Sequence, residues 1–199
     1  IVVVGSPDLP GNDDGDPGRA YVFKRFNGET TDWNSVQPID GGVDGPSLWT
    51  FGDAVDINER FVVVGQPPAT REGERAGASS PTGFLVWDHA DGFFVQSAFV
   101  NQAGDEGKAV ALGDDTLHVG IPGGFGATDP TRGGIDYYEL DPDTDQFVFL
   151  GNVQLGSRLG DSVAADNGTV IAGRPLVEDG GGVREGQVVF YSTDFSSSV

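Results

Sequence analysis

Two acidic segments stand out as places where this chain could do chemistry. Asp13, Asp14 and Asp16 cluster around Gly15, and Asp141, Asp143 and Asp145 alternate in an Asp-Pro-Asp-Thr-Asp run. Several carboxylates on a short loop supply the hard oxygens that calcium prefers. Asp, Pro and Gly are equally the residues that build tight solvated turns. Calcium ligation and plain turn formation both stay open at these six positions. Asn167-Gly168-Thr169 offers a second kind of site. It matches the acceptor pattern for an N-linked glycan, and Asn-Gly is also the preferred dipeptide of a two-residue hairpin turn.

Covalent catalysis has little to work with. The chain has no cysteine and only two histidines, His89 and His118, which fall in different segments. A Gly-x-Ser-x-Gly elbow is absent, and in so acidic a chain a pair of carboxylates carries no information by itself. A propeller-borne lyase or glycosidase is the alternative class, and it would need carboxylates converging in one cleft. Otherwise no enzyme is expected. With a formal net charge of -20, the surface repels phosphate backbones and anionic lipid, so nucleic acid is not an expected partner. The sequence holds no apolar run long enough to span a bilayer, so no direct membrane insertion is expected.

The elements that would position these residues are short strands. The 32 glycines and 12 prolines punctuate brief runs of Val, Ile, Phe and Tyr, and no long helical period occurs. An apolar run ending in Gly-x-Pro appears four times: Val2–Pro7, Val62–Pro67, Leu117–Pro122 and Val170–Pro175. Their glycines, Gly5, Gly65, Gly120 and Gly173, lie 60, 55 and 53 residues apart. Three of these runs follow a strand-like segment rich in small residues, Phe51–Val55, Gly107–Ala111 and Gly160–Ala164. Each Gly-x-Pro leads into a Gly-rich loop and then an aromatic strand: Ala20–Phe23, Phe84–Trp87, Ile135–Tyr138 and Val188–Tyr191. A fourth strand follows in the first three units, Phe93–Val100 and Phe147–Val153 being the clearest. Trp33 and Trp49 read as members of less regular connections.

One unit is therefore a four-stranded antiparallel meander of about fifty residues. Such sheets bury both faces by stacking around an axis, so the expected fold is all-β, a β-propeller. The units are approximately 1–50, 51–106, 107–159 and 160–199. The first lacks an inner strand and the last stops short, so four blades or part-blades of a larger propeller are expected.

These units resemble the FG-GAP repeat of integrin α-subunits. Phe51-Gly52-Asp53-Ala54-Val55 leads to Val64-Gly65-Gln66-Pro67, and Leu159-Gly160-Asp161-Ser162-Val163 leads to Ala172-Gly173-Arg174-Pro175. The likeness is nearest to secreted microbial and algal forms. Glu106 and Leu159 stand where the motif has Phe, and the turns after the first strands are too short for that family's calcium loop. The resemblance implies an extracellular or cell-surface module used in adhesion, ligand binding or assembly of a surface structure. Its contacts with a protein or glycan partner are expected on the Gly-rich loops 8–18, 68–82, 123–133 and 176–185.

Overall fold

The structure, a computed structural model, describes residues 1–7, 18–25, 33–40, 50–67, 82–89, 93–100, 107–123, 133–178 and 184–192. Among them the chain is all-β, and every sheet is antiparallel. The first sheet holds β1 (Val2–Ser6), β2 (Arg19–Arg25) and β3 (Trp33–Asp40). The second runs β4 (Ala54–Ile57), β5 (Phe61–Gln66), β6 (Thr82–Asp88), β7 (Phe93–Val100). The third runs β8 (Ala109–Leu112), β9 (Thr116–Ile121), β10 (Gly134–Asp141), β11 (Gln146–Gln154). The fourth holds β12 (Ser162–Asp166), β13 (Thr169–Glu178) and β14 (Arg184–Ser192). Each sheet is thus a meander in chain order, as the repeat pattern predicts.

The period of two along each strand decides what faces what. In the second sheet Val62, Val64, Leu85 and Trp87 point one way and join Ala20, Val22 and Phe51 in a core against the first sheet. Phe61, Val63, Phe84 and Val86 point the other way, into a core shared with Val110, Leu112, Leu117, Val119 and Phe147 of the third. A strand covered on both faces reads as an unbroken apolar run, which is why Phe61-Val62-Val63-Val64 lacks polar alternation. Edge-to-face ring pairs tighten this second core, Phe61 on Phe147 at 5.4 Å and Phe84 on Tyr138 at 5.0 Å between centroids. A smaller core of Ile135, Leu159 and Ala172, flanked by Val163, Val189 and Tyr191, joins the third sheet to the fourth. The second and third sheets therefore each have a face toward the preceding unit and a face toward the following one.

The recurring glycines set the spacing. Gly52, Gly107 and Gly160 have φ of 91°, 82° and 92°, the left-handed region where a side chain is strained. The amides of Gly52 and Gly160 each donate to the Gly-x-Pro glycine of their own unit, Gly65 and Gly173, at 3.1 Å. Their carbonyls abut the Gly-x-Pro glycine of the preceding unit: Gly52 on Gly5, Gly107 on Gly65 and Gly160 on Gly120. A Cβ on any of these six glycines would fall inside the van der Waals shell of a neighbouring backbone carbonyl. The same contact occurs three times, so the Gly-x-Pro corners occupy equivalent places from one unit to the next.

Several elements differ from the expectation. The first strand of each unit begins at Ala54, Ala109 and Ser162, later than the apparent strand segment. The preceding Phe51-Gly52 and Leu159-Gly160 turn sharply, and Phe51 and Leu159 drop fully buried into the inter-sheet cores. In the fourth unit the Gly-x-Pro does not end its strand. Instead β13 runs past Pro175 through a register shift between Arg174 and Val177, where a residue without an amide proton is tolerated. Trp33 opens β3, paired with Arg25, and does not lie in a connection. Trp49 lies outside the described residues.

Candidate functional site

The antiparallel registers give each sheet a turn end and a loop end. At the turn end lie the hairpins β4–β5, β8–β9, β10–β11 and β12–β13. The pairs Ser6–Arg19, Gln66–Gly83, Ile121–Gly134 and Glu178–Arg184 mark the loop end. These pairs flank the four Gly-rich loops, so the loops leave from equivalent corners of successive sheets. The loops themselves, 8–17, 68–81, 124–132 and 179–183, lie outside the described residues, and with them Asp13, Asp14 and Asp16.

One anchor at the loop end is well defined. Arg174, the middle residue of the fourth Gly-x-Pro, donates from Nε to the Gly156 carbonyl at 3.1 Å and from Nη2 to the Leu155 carbonyl. It also reaches the Ser157 hydroxyl at 3.3 Å. The connection it grips has positive φ at Gly156, Ser157 and Arg158. A guanidinium with five donors can hold such a tight turn by its carbonyls.

The turn end carries a polar network centred on the β4–β5 hairpin. Asn58 Oδ1 accepts from the amides of Arg60 at 2.9 Å and Phe61 at 2.7 Å, forming the turn. Its Nδ2 donates across to the Gly113 carbonyl at 2.8 Å. Asp56 Oδ2 accepts the Leu112 amide at 2.8 Å, whereas the Lys108 bond to Asp53, at 2.7 Å, lies at the loop end of the same two sheets. Arg60 donates through Nε to Asp88 at 2.8 Å and through Nη1 to Asp145 at 2.9 Å. Lys24 in turn donates to the His89 carbonyl at 2.6 Å, tying the first unit to the second. The β4–β5 hairpin thus bonds the second unit to the third, and the Lys24–His89 contact bonds the first to the second.

Charge pairing shapes the ionisation here. Hydrogen bonding to Asp145, then to Asp88, raises the Arg60 pKa further, and the same Arg60 bond holds Asp145 below the ordinary carboxylate range. The Asp88 side chain is 1% exposed, whereas that of Asp145 is 54% exposed. Of the alternating trio, Asp141 Oδ1 accepts the Asp143 amide at 2.9 Å, so the loop closes on itself as an Asx turn. Asp145 adopts φ 56° and points its carboxylate at Arg60. Among the described residues no group of three or more His, Cys, Asp or Glu side chains is placed to hold a metal ion. Asn167 sits exposed with φ 45° beside Gly168 at 71°, in the two-residue turn between the paired Asp166 and Thr169.

Two ionisable groups lie on β9 and β10: His118, which the sequence shows within a strand, and Asp136, which the sequence reading did not single out. His118 is fully buried on the face of β9 toward the fourth unit, stacked on Tyr137 at 5.2 Å. Its Nδ1 lies 3.4 Å from the Tyr191 hydroxyl and its Nε2 3.3 Å from the Thr116 hydroxyl. Burial pulls its pKa down to about 4 and pushes Tyr191 upward. Asp136 pairs with Val119 just as Leu85 pairs with Val64, so a carboxyl takes a leucine's place facing the second sheet. Burial raises its pKa to about 6. The signal was present in both cases, as a polar residue breaking an otherwise apolar strand. His89 is also buried, with Nε2 3.2 Å from the Asn58 carbonyl, so that nitrogen donates. The two histidines serve different interfaces. No protein-family model and no curated protein sequence matches the chain.

Proposed function

We propose that the four sheets are blades of an FG-GAP-like β-propeller, and that the chain works as an extracellular or cell-surface binding and structural module. The observation that carries this is the glycine contact repeated between each successive pair of sheets. A fixed main-chain contact repeated at near-equal spacing turns each sheet by a similar step, which is how blades come to surround an axis. On that scaffold the four Gly-rich loops leave from equivalent corners and offer one composite surface to a protein or glycan. The described polar groups support a mechanical role. Asp56, Asn58 and Arg60 are spent on holding units together. A surface with net charge -20 suits a cation-rich exterior, where ions screen self-repulsion.

Calorimetric titration against a panel of soluble polysaccharides and glycans tests the reading, with residues 68–81 replaced by a Gly-Ser linker as the paired variant. Binding by the unaltered chain, lost in the loop variant at unchanged thermal stability, is the expected result. Release of reducing or unsaturated ends during the titration would overturn it in favour of a carbohydrate-active enzyme. Binding that survives replacement of each of the four loops in turn would also refute it.

A further inference from the structure

The seam between the third and fourth sheets is built unlike the one before it. In the second sheet the cross-strand pair Val63–Val86 faces the following unit and is fully buried. In the third sheet the register-equivalent pair is His118–Tyr137, because Gly120 pairs with Ile135 as Gly65 pairs with Phe84. An imidazole and a phenol thus stand where the other seam has two valines. The imidazole is fully buried, stacked on Tyr137 at 5.2 Å and edge-on to Tyr191 at 6.1 Å between centroids. Tyr191 comes from β14, so one of the two hydroxyls on the ring crosses the seam, 3.4 Å from Nδ1, while the Thr116 hydroxyl lies 3.3 Å from Nε2. The apolar core around them is the smallest of the three among the described residues, with Ile135, Leu159 and Ala172 at its centre.

In either neutral tautomer one ring nitrogen donates and the other accepts, so both hydroxyls can be satisfied. A second proton makes both nitrogens donors and forces one hydroxyl to turn its own hydrogen away. It also places a charge where the described residues supply no counter-charge. Beside the ring on its own sheet are Ala111, Thr116 and Tyr137, and the fourth sheet packs Val163, Val189 and Tyr191 on this seam. Glu139, paired with Thr116, is exposed at the turn end. At the loop end Asp161 is bonded to Arg158, and Arg174 to the connection before β12. We infer that His118 is an acid-sensitive latch, whose protonation undocks the fourth sheet from the third while the seam between second and third stays closed. Burial already holds the imidazole pKa down to about 4, as a site that rejects the charged form must. Asp136 lies on the opposite face of the same sheet, so its titration acts on the other seam, where acid favours the neutral carboxyl. Once undocked, the fourth sheet loses its buried side and frays. Acid thereby uncovers an apolar surface, Ile135 and Ala172, that neutral pH keeps closed. Both sides of the seam lie within the chain, and what the loops bind does not enter.

Hydrogen exchange read by mass spectrometry at pH 7 and at about pH 4.5 tests it, with rates corrected for the pH dependence of chemical exchange. The lower value stays above the sequence pI of about 4.1, so the chain remains anionic. With an imidazole pKa of 6.5 when open and about 4 when closed, the opening equilibrium rises about fiftyfold between the two conditions. Protection of β13 and β14 is expected to fall by that factor, and protection of β5 and β6 to change by less than about threefold. His118→Phe keeps a ring in the seam and is expected to hold the fourth sheet's protection level at both pH values. Tyr191→Phe removes the hydroxyl that crosses the seam and is expected to loosen the fourth sheet alone at pH 7. Acid also discharges carboxylates, which in a chain of net charge -20 relieves repulsion and works against any opening. Equal loss of protection in the second and fourth sheets overturns the inference. So does an acid loss in His118→Phe as large as in the unaltered chain, or a fourth sheet as well protected in acid as at pH 7.

Discussion

Replacing Gly107 with alanine tests whether main-chain contact sets the distance between sheets. The residue sits at φ 82°, and a Cβ there would lie 2.7 Å from the Gln66 nitrogen and closer still to the Gly83 carbonyl oxygen. Strain from the left-handed backbone costs about 1–3 kcal/mol. Forcing the neighbouring carbonyl away costs about 1–3 kcal/mol more. With partial relaxation, Gly107→Ala should destabilise the chain by about 2–5 kcal/mol, a fall in Tm of about 5–20 °C. Gly65→Ala separates the two contributions. Its φ is not positive, and its Cβ meets the Gly107 carbonyl group and Val110 most closely, so it should cost about 1–3 kcal/mol. Gly151→Ala is the control, because nothing lies within 4 Å of a Cβ there. Urea unfolding followed by tryptophan emission reads all three, since Trp87 is buried between the first and second sheets. Midpoints for Gly65→Ala and Gly107→Ala within about 0.5 kcal/mol of the parent would refute the reasoning.

Acid titration of stability should expose two opposed groups. His118 has its folded pKa lowered to about 4, so the stability it contributes is complete above the unfolded value near 6.5 and lost as pH falls toward 4. Asp136 has its folded pKa raised to about 6, so its contribution is largest below the unfolded value near 3.8 and lost as pH rises toward 6. The two slopes oppose each other between about pH 4 and 6. Asp136→Asn should therefore steepen the acid loss of Tm and raise Tm at pH 7, while His118→Phe should reverse the slope; parallel curves for all three proteins would count against both assignments. Arg60→Ala should destabilise more than Asp145→Ala, because it leaves the buried Asp88 carboxylate short of a partner at a cost of about 1–3 kcal/mol, while Asp145 faces water. Equal shifts in urea midpoint would disprove that ranking. Secretion from a glycosylating eukaryotic host should add one glycan mass at Asn167 by intact mass spectrometry, and Thr169→Ala should remove it.

Much of this architecture was legible from Gly5, Gly65, Gly120 and Gly173, because a repeated corner residue announces a repeated unit. The Asn167-Gly168 turn was equally plain, since few dipeptides satisfy two successive positive φ values. Phe51-Gly52 was misread as strand because an apolar residue beside a glycine has no local mark separating pairing from plugging; only the neighbouring sheet makes Phe51 a core residue. Pro175 looked like a strand end, and the bulge that lets β13 pass it depends on its partner β14. The Arg60 bridge to Asp145 spans 85 residues, and no spacing rule reaches that far. His118 and Asp136 were visible as letters, yet their buried state follows from which sheet face each occupies. The acidic cluster at Asp13, Asp14 and Asp16 lies outside the described residues, and calcium there is a proposal from the sequence.

Because the contact between units is glycine against peptide carbonyl, their separation is written in the main chain and owes little to side-chain volume. A gene segment encoding one such unit can then be copied in tandem and still meet its neighbours at the right distance. The two glycines at each junction must survive the copying, together with the apolar faces that pack beside them. The chain can lengthen by duplication without any interface having to be invented anew.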